Sequence, residues 1–219
     1  MLDQITQFEP YSYLGHVIIG FLALIAGTIA LKSVKGSVTH VRMGRVFALS
    51  TLVACLTAYY FFYQQPLTLL SAIDATLAIY LVFSAILAFE KYERLRKALA
   101  FIYLPVVACL IFLLAPLIVQ NLSIPMRVVV LMIHLALLAT LAIGDIQFGR
   151  VLSPSRSQRL ARHRYRMLLA YSVIVAAAIG NILNLPVPVV TALFLLGMAV
   201  FCIVSQRKKK KTGAFQTNI

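Results

Sequence analysis

Acidic residues are scarce in this chain: only six of its 219 residues are Asp or Glu, and 12% are charged at all. Two-metal hydrolases need several carboxylates to hold their metal ions, so this scarcity argues against such an enzyme. The sequence also lacks a Gly-rich phosphate loop, a GxSxG motif and an HExxH motif. Because no familiar catalytic pattern is present, ligand binding, transport and scaffolding are the function classes to consider.

Cysteines are equally few. Cys55, Cys109 and Cys202 each lie inside an apolar run, and none belongs to a CxxC pair. This spacing fits neither a disulfide framework nor a zinc knuckle. We therefore expect buried, unreactive thiols.

Apolar residues are abundant. They make up 62% of the chain, whose mean hydropathy is +0.94, whereas soluble domains contain about 45–50% apolar residues. The charges are clustered between long apolar runs, which is typical of a polytopic membrane protein. The N-terminus is acidic rather than basic and the first apolar run is long enough to span, so we expect no cleavable signal peptide.

Seven apolar runs have a length of about 17–25 residues, which suits a helix that crosses a bilayer. They cover residues 14–32, 44–63, 68–89, 98–120, 126–148, 166–184 and 188–205. The sequence therefore predicts an all-α fold, an integral membrane bundle of seven transmembrane helices. We assign residues 1–205 to a single transmembrane domain and residues 206–219 to a basic, disordered tail.

The basic residues indicate the orientation of these spans. If the seven runs alternate in direction, nineteen of the twenty Lys and Arg residues fall on one side of the membrane, and only Arg127 falls on the other. The positive-inside rule then places the N-terminus outside and the C-terminus in the cytoplasm. The basic tail is expected to contact anionic lipid headgroups rather than nucleic acid.

The four histidines are placed in pairs. His16 and His134 lie in the outer halves of the first and fifth predicted spans, while His40 and His163 lie where the second and sixth spans begin on the inner side. Two imidazoles at one depth can ligate a b-type haem, and two such sites would carry electrons across the membrane. The alternative is that these histidines are solvated groups that only mark where a helix meets the headgroups.

Asp74 is the only acidic residue deep inside a predicted span. Carboxylates are costly in a bilayer, so such a residue is a candidate for a proton or ion path. It could pair with His16 or His134, or line a pathway together with His134 in a transporter or proton-coupled channel. The alternative is a structural hydrogen bond to a neighbouring helix.

Basic residues surround both inner histidines. They stand at helix N-termini, whose free N–H groups favour anions, and Asp145 could bridge to one of them. This arrangement would suit a phosphate, a lipid headgroup or an anionic quinol-type ligand. Positive-inside topology alone would also explain the charge. The arginines concerned are Arg42, Arg45, Arg164 and Arg166.

Three segments resemble motifs of a family of uncharacterised bacterial membrane proteins. They are "HVIIGFLALIAGTIALKSVKGSVTHVRMGRVFALSTLVACLTA" (16–58), "IGDIQFGR" (143–150) and "ARHRYRM" (161–167). The resemblance implies a multi-pass protein of the bacterial inner membrane. Haem ligation is not among the properties that it implies. Asp74 and His134 are not part of the matched motifs. The family positions that carry over are His16, His40, Asp145, His163 and Arg166.

Three functional hypotheses follow. The first is a membrane protein that binds a ligand or redox cofactor, most concretely b-type haem, through its His, Asp and Arg side chains. The second is a small transporter or proton-coupled channel. The third is a non-catalytic assembly or scaffold subunit, which would bind a membrane protein partner or a second copy of itself.

Overall fold

The computed structural model describes residues 10–64, 69–89, 94–95, 125–151, 154–183, 185, 189–190 and 194. The described part is helical and contains no strand. The predicted span at 98–120, the tail at 206–219 and all but three residues of the span at 188–205 lie outside it. The five helices are α1 (Pro10–Lys32), α2 (Val38–Gln64), α3 (Leu69–Ile86), α4 (Pro125–Arg150) and α5 (Arg156–Ile182).

Helices α1, α2 and α5 are each long and apolar enough to cross a membrane, and α3 and α4 contain shorter apolar stretches. The outer surface of α1 supports this assignment. Leu14, Ile18 and Ile25 are 55%, 58% and 57% exposed, and a continuous apolar face of this kind is stable against lipid rather than water. These features indicate a membrane protein.

Helices α2 and α5 begin earlier than their apolar runs do. Helix α2 starts at Val38, after Ser37 Oγ accepts the His40 backbone N–H at 3.2 Å. Helix α5 starts at Arg156, after a capping box in which Ser155 and Gln158 bond each other's backbone N–H groups. Hydropathy detects only the part of a helix that lies in hydrocarbon, so the polar first turns were predicted as linkers.

Helix α3 is central in the described part of the chain. It packs against α2, α4 and α5, while α1 packs mainly against α2 and also touches α5. Its side chains Leu77, Leu81 and Val82 are completely buried. The turn between α1 and α2 passes through Gly36, whose φ of +84° suits glycine.

Small residues allow close approach at two helix contacts. A Cβ on Gly27 of α1 would lie 2.5 Å from the Tyr171 ring of α5, whose hydroxyl is hydrogen-bonded to Thr28 Oγ1 at 2.6 Å. A Cβ on Gly180 of α5 would lie 2.6 Å from Val190 Cγ2. The neighbouring side chains therefore occupy the space that any larger residue would need.

The contacts bring the C-terminal ends of α1, α3 and α4 together with the N-terminal ends of α2 and α5. We call this the basic end of the protein because the described Lys and Arg side chains are concentrated there. They are Lys32, Lys35, Arg42, Arg45, Arg156, Arg159, Arg162, Arg164 and Arg166. The opposite end contains His16 and the aromatic C-terminal turns of α2.

Candidate ligand-binding site at the basic end

His40 is anchored through one ring nitrogen. Its Nδ1 lies 2.8 Å from the backbone oxygen of Ala30, in the last turn of α1, and Lys35 Nζ donates to the same oxygen at 3.2 Å. Carbonyls in a final helical turn have no partner within the helix, so side chains commonly satisfy them. Because a carbonyl can only accept, Nδ1 carries the proton and Nε2 is the basic nitrogen of this ring.

His163 is anchored in the same way on a different pair of helices. Its Nδ1 lies 3.1 Å from the backbone oxygen of Ala85, in the last turn of α3, and its ring lies 4.9 Å from the ring of Phe89. The same tautomer follows, with Nε2 as the basic nitrogen. The two inner histidines are therefore equivalent: each is on a helix that begins at the basic end and bonds a helix that finishes there.

His16, at the opposite end of the protein, is also anchored through Nδ1, in this case to a side-chain hydroxyl. Its Nδ1 lies 2.6 Å from Thr57 Oγ1, and that hydroxyl donates to the Ala54 carbonyl at 2.8 Å. Because the hydroxyl proton is used in that bond, the oxygen accepts the Nδ1 proton of His16. His134 lies in α4, but its side chain is outside the part that the structure describes. A pairing of His16 with His134 stays a prediction.

The two inner imidazoles lie at the same end of the protein, His40 on α2 beside the last turn of α1 and His163 on α5 beside the last turn of α3. Gly44 stands one turn after His40 on the same face of α2, and a Cβ at Gly44 would meet no atom of another described residue within 4 Å. Within the described residues, no three His, Cys, Asp or Glu side chains are grouped to hold a metal ion.

A largely buried ionic cluster lies next to His163. Its centre is the carboxylate of Asp145 on α4, which accepts from Tyr80 Oη, from Ser84 Oγ at 3.0 Å and from two guanidinium groups on α5. One of these belongs to Arg162; the other, of Arg166, is 3.3 Å away. We call these five residues the Asp145 cluster. The contact with Arg166 is one of the bridges that the sequence had suggested for Asp145, whereas the contact with Arg162 was not predicted.

The arginines of the cluster are also bound to the backbone of α4. Arg166 Nη2 donates to the Leu141 carbonyl at 2.8 Å, and Arg162 Nη1 donates to the Gly144 carbonyl at 3.2 Å. The Arg162 guanidinium also lies 4.4 Å from the centre of the Phe148 ring, a cation–π contact. Only 7% of the Arg166 side chain is exposed, so its charge is held in a poorly solvated environment.

The remaining predicted site residues are not brought into the cluster. Arg42, Arg45 and Arg164 are exposed at the basic end. Desolvation, and to a smaller extent the nearby charge of Arg164, lower the pKa of Lys35. Asp74 is partly buried on α3 and interacts electrostatically with Cys55 of α2; its role in a pathway stays a prediction.

Three members of the cluster were missed by sequence reasoning. A signal for Arg162 was present, because it stands four residues before Arg166 and so shares its helix face. Tyr80 and Ser84 have the same spacing on α3. Nothing in one sequence, however, indicates that these two faces meet at Asp145.

No family model, curated protein or solved structure matches this chain. The resemblance to uncharacterised bacterial membrane proteins therefore stays a prediction. The assignment of a function rests on the geometry of the side chains alone.

Proposed function

We propose that this membrane protein binds a redox cofactor, b-type haem, between the imidazoles of His40 and His163. One observation carries the proposal: each ring has Nδ1 tied to a backbone carbonyl in the last turn of a neighbouring helix, at the same end of the protein. Histidines that ligate metals usually donate their other N–H to a carbonyl or carboxylate, which fixes the tautomer and orients the ring. The Nε2 atoms of His40 and His163 would hold the haem iron, and the haem would supply one-electron redox chemistry.

The surroundings of the pair support a flat ligand with carboxylate groups. Gly44 leaves open space beside His40, and a planar macrocycle needs a small residue where it lies against a helix. Lys35 and Arg164 lie near each other at the basic end. Two neighbouring cations repel each other, and the propionate groups of a haem would relieve that repulsion through charge-assisted hydrogen bonds.

The proposal includes a topology. We infer seven transmembrane helices in a bacterial inner membrane, with the N-terminus outside and the C-terminus in the cytoplasm. The segregation of Lys and Arg to one side supports this arrangement. The basic end would then face the cytoplasm and anionic lipid headgroups, and a bound haem would exchange electrons with a donor on that side.

The first experiment is an absorbance spectrum of protein purified in mild detergent from haem-replete cells, oxidised and then reduced with dithionite. We expect a Soret band and, on reduction, a sharp α-band. The informative variants are His40→Asn and His163→Asn. An Asn amide can donate to the same carbonyl as Nδ1 does, but it has no equivalent of Nε2, so haem should be lost while the helix contact is kept.

His16→Asn is the matched control, because His16 has the same Nδ1 hydrogen-bond pattern at the opposite end of the protein. This variant should retain the band of the basic-end haem. A colourless wild-type preparation, or bands unchanged in both basic-end variants, would contradict the proposal. His40 and His163 would then be helix caps only.

A further inference from the structure

The direct contacts that hold the His163 ring against α3 are neutral. Its Nδ1 bonds the Ala85 carbonyl at 3.1 Å, and its ring lies beside the ring of Phe89. In a helix that continued, the Phe89 N–H would bond the Ala85 carbonyl, but it donates to the Ile86 carbonyl instead. The acceptor of His163 is therefore a carbonyl at the end of a helix, and the ring reaches it only if α5 is correctly placed against α3.

The placement of α5 is set on another of its faces. Arg162 and Arg166 are about one turn apart, and both bond the Asp145 carboxylate of α4. Both also donate to backbone carbonyls of α4. At about 100° per residue, His163 stands about 60–100° around α5 from these two arginines. A rotation of α5 that broke the arginine contacts would therefore also turn His163 away from Ala85.

Asp145 also holds the helix that carries the acceptor. Its carboxylate accepts from Ser84 Oγ at 3.0 Å and from Tyr80 Oη, both on α3, and Ser84 directly precedes Ala85. One carboxylate is thus bonded to the helix of the imidazole and to the helix of its hydrogen-bond acceptor. Hydrogen bonds to an ionised group are roughly twice as strong as neutral ones, so these contacts can align the weaker bond of His163.

We propose that Asp145 is the positioning residue of His163. By joining α5 to α3 it brings Nδ1 to the Ala85 carbonyl and presents Nε2 in one direction. His40 is anchored on the other pair of helices, at the Ala30 carbonyl of α1, and provides an internal reference. The consequence for haem rests on the function proposed above: Asp145 would determine whether His163 reaches the iron, while His40 would reach it regardless.

The tautomer of His163 reports its position without any haem. Full-length protein labelled with nitrogen-15 histidine would be made in cells that cannot synthesise haem and placed in lipid nanodiscs at alkaline pH, where imidazoles are neutral. Nitrogen chemical shifts distinguish the Nδ1–H form from the Nε2–H form. One hydrogen bond biases this equilibrium about twofold to tenfold. In Asp145→Asn the ratio of the Nδ1–H to the Nε2–H form should fall by that factor at His163 and stay constant at His40.

Asp74→Asn is the matched control, because it makes the same change at the other carboxylate of the described residues. Asp74 stands 11 residues before Ala85 on α3, about 16 Å along the helix, so this variant should keep the wild-type ratio. Asp145→Glu retains the charge on a longer side chain and should recover part of that ratio.

Ser84→Ala guards against a folding defect in Asp145→Asn. It keeps both ion pairs but removes a contact between Asp145 and α3, so the ratio at His163 should fall in the same direction by less. If Asp145→Asn does not fold, Ser84→Ala decides. A wild-type ratio in every variant that folds, or an equal fall in Asp74→Asn or at His40, would overturn the proposal.

Failure of this proposal and failure of haem binding have different signatures. A colourless wild-type protein contradicts haem binding and leaves the tautomer measurement intact. A coloured protein in which the tautomer of His163 ignores Asp145 contradicts only the positioning role. If both proposals hold, the oxidised spectrum of Asp145→Asn should change from the low-spin form of a haem with two imidazole ligands towards a high-spin form, with haem retained by His40.

Discussion

The α1–α2 hairpin and the group formed by α3, α4 and α5 are held together by different means. In the hairpin the described polar contacts between the helices are neutral, such as His16 with Thr57 and His40 with the Ala30 carbonyl. In the second group, a carboxylate and two guanidinium groups meet at Asp145. Both regions nevertheless use a histidine Nδ1 to satisfy a carbonyl in a final helical turn.

This difference has energetic consequences. Loss of one neutral hydrogen bond typically lowers stability by about 0.5–1.5 kcal/mol. Removal of one partner from a buried ion pair costs more, because the other charge is left uncompensated in an apolar environment. We therefore expect the stability of the hairpin to depend mainly on side-chain packing, and the stability of the second group to depend mainly on its charged side chains.

The largest effect is expected for Asp145→Ala. This change leaves the guanidinium groups of Arg162 and Arg166 without their carboxylate, so the free energy of unfolding should fall by about 3–5 kcal/mol. The measurement is an SDS-induced unfolding titration of the purified protein. Arg42→Gln, at an exposed position of α2, is the control and should change stability by less than about 0.5 kcal/mol. Equal stability of the two variants would mean that the ionic cluster contributes little.

A second prediction concerns packing at α1. Gly27→Ala would place a Cβ 2.5 Å from the Tyr171 ring, which is restrained by its hydrogen bond to Thr28. Overpacking of this kind should lower the free energy of unfolding by about 1–3 kcal/mol. Gly20→Ala is the matched control, because a Cβ there meets no other described residue within 4 Å. If both substitutions had the same effect, close approach at Gly27 would not be the cause.

A smaller effect on stability is expected where α1 of the hairpin contacts α5 of the second group. Tyr171→Phe removes the bond between Tyr171 Oη and Thr28 Oγ1, while the Thr28 hydroxyl can still donate to the Leu24 carbonyl at 2.8 Å. Because no buried donor is orphaned, we expect a loss of about 0.5–1 kcal/mol. A double-mutant cycle with Thr28→Val would measure the coupling of the pair; zero coupling would show that the hydrogen bond does not join α1 to α5.

The smallest predicted effect is electrostatic and lies at the surface of the basic end. Arg164→Gln removes a positive charge that helps to lower the pKa of Lys35, so that pKa should rise towards its usual value. The rate at which Lys35 is acylated, followed by mass spectrometry as a function of pH, reports this change. Lys32 serves as an internal reference in the same spectra. An unchanged profile for Lys35 would place Arg164 too far away to interact with it.

The sequence predicted the apolar bodies of the described helices well. The run at 14–32 ends where α1 ends, at Lys32, and the run at 68–89 contains α3. The starts of α2 and α5 were wrong because their first turns are polar and carry no hydropathy signal. Ser37 and the Ser155–Gln158 pair could have indicated them, since these are N-cap residues with a local mechanism.

The candidate sites were predicted only in part. The positions of His40 and His163 suggested a pair, but their common tautomer follows from contacts with Ala30 and Ala85, which are distant in sequence. Asp145 was expected to meet an arginine, yet the choice of Arg162 and Arg166 over Arg164 depends on the helix face presented to α4. That face is set by tertiary packing, which one-dimensional patterns do not contain.

The order of residues in the Asp145 cluster has a consequence for how the protein is made. Tyr80 and Ser84 are synthesised first, then Asp145, and Arg166 follows about 20 residues later. At a synthesis rate of about 5–20 residues per second, the carboxylate waits about one to four seconds for its arginines. In the seven-helix topology proposed above, α4 carries an acid without its arginines during that interval, so its release from the insertion machinery into lipid should be favoured only once α5 has emerged beside it. Biogenesis would then treat α4 and α5 as one unit, with the ion pair as the step that commits both helices to the membrane.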